Sequence, residues 1–381
     1  MNKKNGFTLI ELLAVIVIIG LVAIIAIPAI SKTVKNSKNN SLDIQEKLFL
    51  EAGTNYFLDQ IANNNLKFDL YEEKSVTLDT LINLGYIKPI KDPGTGDNCD
   101  GNSIVKAVFA GNRKYEYASY FTCGKYTTTQ DNNHFNILNY SFLNGAKEYA
   151  EANPSVLPVN IGDRVSVLYT TLKTGGYVGT IQDVSSGNEC STKSLVVIKK
   201  TGSNSYKYLS GLICENYFKV DAWDFLLEYG LFKTDSNNDE LADGWLEYGL
   251  SEKKFDYEKQ TIKFASQSGY IRTGGTAYLI EGEVVYYWVL AKGATSNYVR
   301  FSTGSTFFGE QYLSDELKIT SRRSVCNSTG VYYFTVNEAK TSGFLPVELR
   351  KAIAFNLTHM YGAGNEPDET KIESLMKNSG Y

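Results

Sequence analysis

Three groups of residues in this chain have types and spacings that could do chemistry. The first is a run of oxygen donors. Asp235, Asn237, Asp239 and Asp243 stand at places one, three, five and nine of a calcium-loop spacing, with the Leu241 carbonyl at place seven. Calcium takes six to eight hard oxygens, so carboxylates clustered on a turn would supply most of a shell and brace the loop. Two departures leave a solvated acidic turn as the other reading: Glu240 stands where such loops usually turn on glycine, and no acid stands at the twelfth place, although Glu247 is next to it. The second group is four cysteines, Cys99, Cys123, Cys190 and Cys214, with Cys326 left over. The third is a single carboxylate, Glu11, set in the apolar run from Phe7 to Ile30.

That run is long enough to cross a hydrocarbon core of about 30 Å at about 1.5 Å per helical residue. Lys3 and Lys4 would stay cytoplasmic and everything after Ile30 would lie outside. An ordinary secretory signal has a shorter apolar region ending in a small-residue cleavage site, and places no carboxylate near its start. A charged group in lipid costs about 3 kcal/mol on insertion scales, so Glu11 needs a partner.

Gly6, Phe7, Thr8, Leu9, Ile10 and Glu11 spell a GFTLIE junction. It resembles the class III signal peptides of type IV pilins and of the pseudopilins of secretion and competence machines. The resemblance implies cleavage after Gly6 by a prepilin peptidase and methylation of the new amino terminus on Phe7. It also implies that Glu11 pairs with the terminal amine of a neighbouring subunit, which would neutralise the buried carboxylate and set the register between subunits. Gly20 and Pro28 fall where family members carry helix-weakening residues; an interior proline removes a backbone hydrogen bond and clashes with the preceding turn. The implied partners are other pilin subunits, the prepilin peptidase and the inner assembly machinery. A plain single-pass anchor with a chance acid is the bland alternative.

The elements that must carry these residues follow from patterning. After the membrane segment, Leu42, Ile44, Leu48, Phe49, Ala52, Tyr56 and Leu58 recur at roughly helical spacing, so the helix is expected to continue and to pack its apolar stripe beneath a sheet. An internal repeat then dominates. The stretch beginning at Val76 aligns without gaps against that beginning at Val167, displaced by 91 positions: Gly85 with Gly176, Tyr86 with Tyr177, Asp92 with Asp183, Gly96 with Gly187, Cys99 with Cys190 and Cys123 with Cys214. Upstream, FLEAGTNYF from Phe49 resembles FLNGAKEYA from Phe142. This looks like two pilin-type heads in tandem, the second without a membrane segment. One cysteine pair lies in each copy and export places both in an oxidising setting, so Cys99 is expected to pair with Cys123 and Cys190 with Cys214, against the alternative of four free buried thiols.

From about Asn216 the texture changes. Alternating runs such as KFASQSGYIRTG, EVVYYWVLAKG and GVYYFTVNEAK, punctuated by Gly, Ser and Asn, argue for an antiparallel β-sandwich. The pattern resembles the galactose-binding-like jelly rolls of bacterial surface enzymes and phage tail proteins, with a closing short helix after Pro367. Trp245, Tyr287 and Trp288 are candidate platforms for sugar rings by residue type, with burial in the core as the alternative.

The expected architecture is therefore α+β: a leader at 1–6, a membrane-spanning assembly helix at 7–30, pilin-like helix-plus-sheet heads at 31–130 and 131–215, and an all-β jelly roll at 216–381. Lys+Arg 38 against Asp+Glu 42 gives a net charge of −4, so a nucleic-acid-coating role through overall charge is not expected. No nucleophile elbow, HExxH or P-loop can be found, and the 2 His have no ligand-spaced neighbours, so no enzyme is expected. The expectation is a type IV pilin-like filament subunit, minor or at the tip, carrying an adhesive domain for a glycan or host-surface ligand. It would be a single-pass membrane precursor first, and then part of a surface filament. A pseudopilin of a type II secretion or competence machine, and a membrane-anchored adhesin that does not polymerise, are the alternatives.

Overall fold

The computed structural model describes residues 9–226, 235–250, 252–256, 258–265, 269–273, 277–303, 306–337 and 347–381; within the first helix, side chains are described at position 17 and from 36 onward. The chain divides into two compact units, Met1–Tyr140 and Ser141–Tyr381.

In the first unit, α1 (Leu9–Ala62) runs unbroken through Gly20 and Pro28. Among the described residues no helix is long and apolar enough to cross a membrane; the run expected to do so lies where α1 side chains are not described. Further on, Leu42, Phe49, Ala52 and Phe57 are buried. The expected stripe needs correcting here, because Ile44, Leu48 and Leu58 are 60%, 52% and 48% exposed. At 3.6 residues per turn the face that meets the sheet follows 42, 46, 49, 53 and 57, and those three leucines and isoleucines fall on the far side. Gly53 permits the close approach: a Cβ there would stand 2.6 Å from Val105.

The sheet is antiparallel, in the order β1 (Glu73–Thr77), β2 (Ile104–Gly111), β3 (Lys114–Tyr120). Between β1 and β2 lies the short α2 (Leu78–Asn83), whose first turn is capped by the Thr77 hydroxyl accepting from the Thr80 amide at 3.2 Å. Gly85, at φ 80°, ends α2: its amide bonds to the Ile82 carbonyl and the Tyr86 amide reaches back to Leu81. That pairing explains the Gly-Tyr signature, since the left-handed position after a helix favours glycine. A small hairpin, β4 (Thr122–Cys123) and β5 (Tyr126–Thr127), follows, and α3 (Asn132–Ala152) begins by packing Ile137 against Val108 and Ala118. His134 is a satisfied core residue, its Nε2 lying 2.7 Å from the Ser119 carbonyl and its Nδ1 2.9 Å from Asp131.

The second unit opens with the repeat. β6 (Arg164–Leu168), α4 (Tyr169–Thr174), β7 (Leu195–Gly202) and β8 (Ser205–Gly211) reproduce β1, α2, β2 and β3. The registers agree residue for residue: Val76 faces Val105 in the first copy and Val167 faces Val196 in the second. Gly176, at φ 77°, closes α4 as Gly85 closes α2.

The carboxyl-terminal region is an antiparallel sandwich. Its back sheet runs β10 (Glu252–Asp256), β11 (Thr261–Ala265), β19 (Val347–Asn356), β14 (Val284–Lys292), β17 (Lys318–Val325). Its front sheet runs β16 (Phe307–Tyr312), β15 (Tyr298–Ser302), β18 (Gly330–Asn337), β12 (Tyr270–Thr273), β9 (Trp245–Tyr248), with β13 (Ala277–Leu279) pairing beside β18. The chain crosses between sheets from β9 to β10, β11 to β12, β13 to β14, β14 to β15, β16 to β17, β17 to β18 and β18 to β19, and β19 returns to lie beside β11, which is a jelly-roll order. Between the sheets, Phe264, Val285, Tyr287, Val289 and Leu349 meet Ile271, Val299, Phe301, Phe334 and Val336. The outer face of the back sheet is covered as well. Tyr286, Trp288, Ile353 and Phe355 pack under α5 (Leu357–Tyr361) and α6 (Glu369–Asn378), and against Ile213, Phe218 and Val220 at the end of the second repeat. Asp368 caps α6, accepting from the Lys371 amide at 2.8 Å, just after Pro367.

Candidate functional site

The outer face of the front sheet, unlike that of the back sheet, presents aromatic and hydrogen-bonding side chains to solvent. Along each strand, alternate residues enter the core (Ile271, Val299, Phe301, Phe334, Val336), so the intervening ones face away. Register places them in rows. Tyr270 lies opposite both Tyr248 and Asn337, Asn337 opposite Tyr298, and Tyr298 opposite Tyr312. At about 4.8 Å per strand this row is about 19 Å long. The next row is Leu246, Arg272, Thr335 and Arg300; beyond it Tyr333, Ser302 and Phe307 align. Tyr248, Phe307 and Tyr312 are 41%, 48% and 55% exposed.

Two arginines are held against aromatic rings within this surface. The Arg272 guanidinium carbon lies 3.9 Å from the Tyr333 ring centroid and 4.8 Å from that of Tyr248, whose hydroxyl accepts from Nη2 at 2.6 Å. The Arg300 guanidinium lies 4.0 Å from the Phe307 centroid and 4.9 Å from that of Tyr298, and donates to Glu310 at 3.0 Å. The Tyr248 and Tyr270 rings stack at 4.8 Å, and the Ser302 and Thr335 hydroxyls are 2.8 Å apart. Cation–π contacts of this kind fix long side chains in place before any ligand arrives. Chemically, the face offers rings on which the C–H side of a sugar can stack, with hydroxyl, amide and guanidinium groups between them for its oxygens.

The aromatics singled out from sequence do not join this face. Trp245 and Tyr287 are buried in the sandwich core, and the Tyr287 hydroxyl donates to the Gly309 carbonyl at 2.6 Å. Burial pushes the Tyr287 phenol well up, so it stays protonated. Trp288 points the other way, onto the covered side of the back sheet. A sandwich of this size fills its interior with large rings, and residue type alone does not tell which face a ring serves. The local signal was parity, which marks the outward side chains of one strand but not its neighbours: in NYVRFS, tyrosine, arginine and serine alternate with valine and phenylalanine.

The acidic turn is folded on itself. Asp235 accepts from the amides of Asp239 and Glu240, both at 3.1 Å; Asp239 accepts from Leu241 at 2.9 Å and from the Asn237 side chain at 3.0 Å; Asp243 accepts from the Ser236 amide at 2.8 Å. Glu240 sits at φ 64°, in the left-handed region where glycine was missed. Among the described residues no group of three or more His, Cys, Asp or Glu is gathered as a metal site.

Both expected disulfides are present, Cys99–Cys123 and Cys190–Cys214, each with a sequence separation of 24, and Cys326 is free and buried. A residue not singled out from sequence, Glu46, ties α1 to the first head: the hydroxyls of Ser119, Tyr126 and Thr128 lie 2.7, 2.7 and 2.6 Å from its carboxylate. At the amino terminus, Gly6 and Phe7 lie outside the described residues, and Glu11, Gly20 and Pro28 stand on α1 with no described side chain.

The amino-terminal residues 1–27 match the family model of the prokaryotic N-terminal methylation motif. The chain has a type IV pilin-like amino terminus. That amino-terminal motif is the one associated with prepilin cleavage and methylation. No curated protein matches it. Among solved structures, "CBM4 structure and function" is 11% identical with a TM-score of 0.27, covering 33% of this chain and 97% of that one. TmCBM61 in complex with beta-1,4-galactotriose is 14% identical with a TM-score of 0.23, covering 30% and 89%. The C-terminal CBM6 of LamC from Zobellia galactanivorans is 12% identical with a TM-score of 0.22, covering 29% and 90%. At such scores these likenesses bear on neither fold nor ligand.

Proposed function

We propose that this chain is a type IV pilin-like subunit, minor or at the filament tip, whose jelly roll binds glycans through the aromatic face of its front sheet. The observation that carries the binding half is the row Tyr248, Tyr270, Asn337, Tyr298, Tyr312, registered across five strands on a sheet face that, among the described residues, no helix of the same unit packs against. The methylation motif supports the filament half. A minor or tip position is favoured by bulk: a second head and a sandwich are easiest to accommodate where few neighbours crowd the subunit. The role is binding rather than catalysis. Calcium at the Asp235–Asp243 turn is part of the same proposal, as a brace at the domain entry; the left-handed Glu240 supports it, and a calcium titration of the full-length chain that gives no heat would remove it.

Two measurements test the two halves. On a glycan array probed with the full-length chain in detergent, Tyr298→Ala should weaken binding about tenfold, the loss of one stacking contact. Binding unaffected by that substitution would put the ligand elsewhere. Immunogold on sheared filaments should label tips. Label along short fibres would favour a pseudopilin, and label confined to the cell membrane would favour an anchored adhesin that never polymerises.

A further inference from the structure

The two arginines of the front face differ in how their charge is met. Arg300 is paired with the Glu310 carboxylate at 3.0 Å, so its charge is neutralised within the protein. Arg272 has no carboxylate partner among the described residues; its one side-chain hydrogen bond goes to the neutral Tyr248 hydroxyl. Its guanidinium is nevertheless fixed, held between the Tyr248 and Tyr333 rings and in register with Thr335 at the centre of the sheet. An arginine kept for packing alone would be served equally well by a paired charge. One that is rigid, stacked and uncompensated is set to meet an anion, because a guanidinium whose plane is already oriented loses little entropy on forming charge-assisted hydrogen bonds.

We infer that the front face selects acidic glycans, those bearing a carboxylate or a sulfate, with Arg272 meeting the anionic group while the sugar ring lies on the neighbouring tyrosines. This rests on the glycan-binding reading above and narrows it. Tyr270 and Asn337 stand two residues along their strands from the Arg272–Thr335 pair, on the same face, so a ring stacked on Tyr270 brings an exocyclic acid within reach of the guanidinium. Arg300, already satisfied by Glu310, supplies the sugar hydroxyls with donors but adds no net charge.

The test uses matched pairs differing only in the acid: oligogalacturonate against its methyl ester, sialyllactose against lactose, and a sulfated against a desulfated heparin oligosaccharide, each titrated into the full-length chain. The acidic member of at least one pair should bind about tenfold or more tightly, with the preference shrinking as salt rises. The pair that shows it tells carboxylate from sulfate. Arg272→Gln should abolish the preference, weakening the acidic member far more than the neutral one, Arg272→Lys should keep part of it, and Tyr333→Ala should weaken both members. Should Arg272→Gln fail to fold, the salt dependence of the wild-type preference and the Arg272→Lys variant carry the decision. Equal binding of acidic and neutral members overturns the inference and leaves the glycan-binding function standing. No binding of any glycan overturns both.

Discussion

The two repeats are the same fold twice, and they part at one hairpin. Every paired residue through the second cysteine is displaced by the same interval, down to the isolated bridges Lys91–Asn98 and Gln182–Glu189. The copy extends further than the sequence alignment suggests. Thr122 pairs with Thr127 in the first head, and Ile213 with Phe218 in the second; the Thr128 amide reaches the Phe121 carbonyl as that of Lys219 reaches Leu212. What differs is the side chains along the hairpin, Thr122, Thr127 and Thr129 in the first head against Ile213, Phe218 and Val220 in the second, above all at its return. Thr127 is exposed, whereas Phe218 is wholly buried against Phe355, Tyr381 and the helices of the sandwich. In the first head the hairpin turns back on its own helix, through Tyr126 and Thr128 to Glu46. In the second it becomes the base on which another domain is built. A module can thus gain a fixed neighbour without altering its core, by exchanging threonines (Thr122, Thr127 and Thr129) for apolar residues (Ile213, Phe218 and Val220) at and beside one hairpin.

The comparison breaks most visibly at Phe218. Phe218→Ala should cost the second unit about 3 to 5 kcal/mol, the range for deleting a fully buried phenylalanine side chain. Hydrogen exchange should quicken in α6, β19 and the second hairpin together, and stay unchanged in Met1–Tyr140. Thr127→Ala, its counterpart, should stay within about 0.5 kcal/mol of wild type. Faster exchange confined to the hairpin, with α6 unaffected, would mean that the sandwich does not depend on the second head.

Much of this organisation was legible in the sequence, for identifiable reasons. Gly85 and Gly176 need the left-handed region to end their helices, and the cysteines recur with them, so local rules fixed the same residues in both copies. The sandwich was visible through its alternating runs. The binding face was not. Its central row joins Tyr248, Tyr270, Tyr298, Tyr312 and Asn337, residues brought together only by the strand order β9-β12-β18-β15-β16, which alternation cannot supply. Nor could residue type substitute for it: Trp245 and Tyr287 have the chemistry of platforms but the parity of core positions. The stripe on α1 failed for a related reason. Glu46 lies on the buried face and Leu48 off it, because three hydroxyls of the head satisfy that carboxylate, and nothing local to α1 announces them.

A smaller effect sharpens the same contrast. Asp92 and Asp183 occupy equivalent turns, and each accepts from its own loop: Gly94 donates to Asp92 at 2.6 Å, and Ser185 and Ser186 to Asp183, both at 2.9 Å. Only Asp183 also takes an amide from the chain leading into the sandwich, Asn216 at 2.6 Å. Burial pushes the Asp183 carboxyl up, but the amides of Asn216, Ser186 and Ser185 and the Ser185 hydroxyl outweigh it and hold it at about 2. A carboxyl held below its unfolded value contributes stability that is fully present above that value and is lost as pH falls through the folded one. Asp183 should therefore stabilise the second unit by something on the order of 1 to 2 kcal/mol above about pH 4, and this should disappear towards pH 2. Asp183→Asn should lower the exchange protection of the second head at pH 6 and flatten its decline on acidification. If Asp92→Asn flattens the first head's acid profile to the same degree, the aspartate serves only its own turn, and the bond from Asn216 adds nothing to holding the sandwich in place.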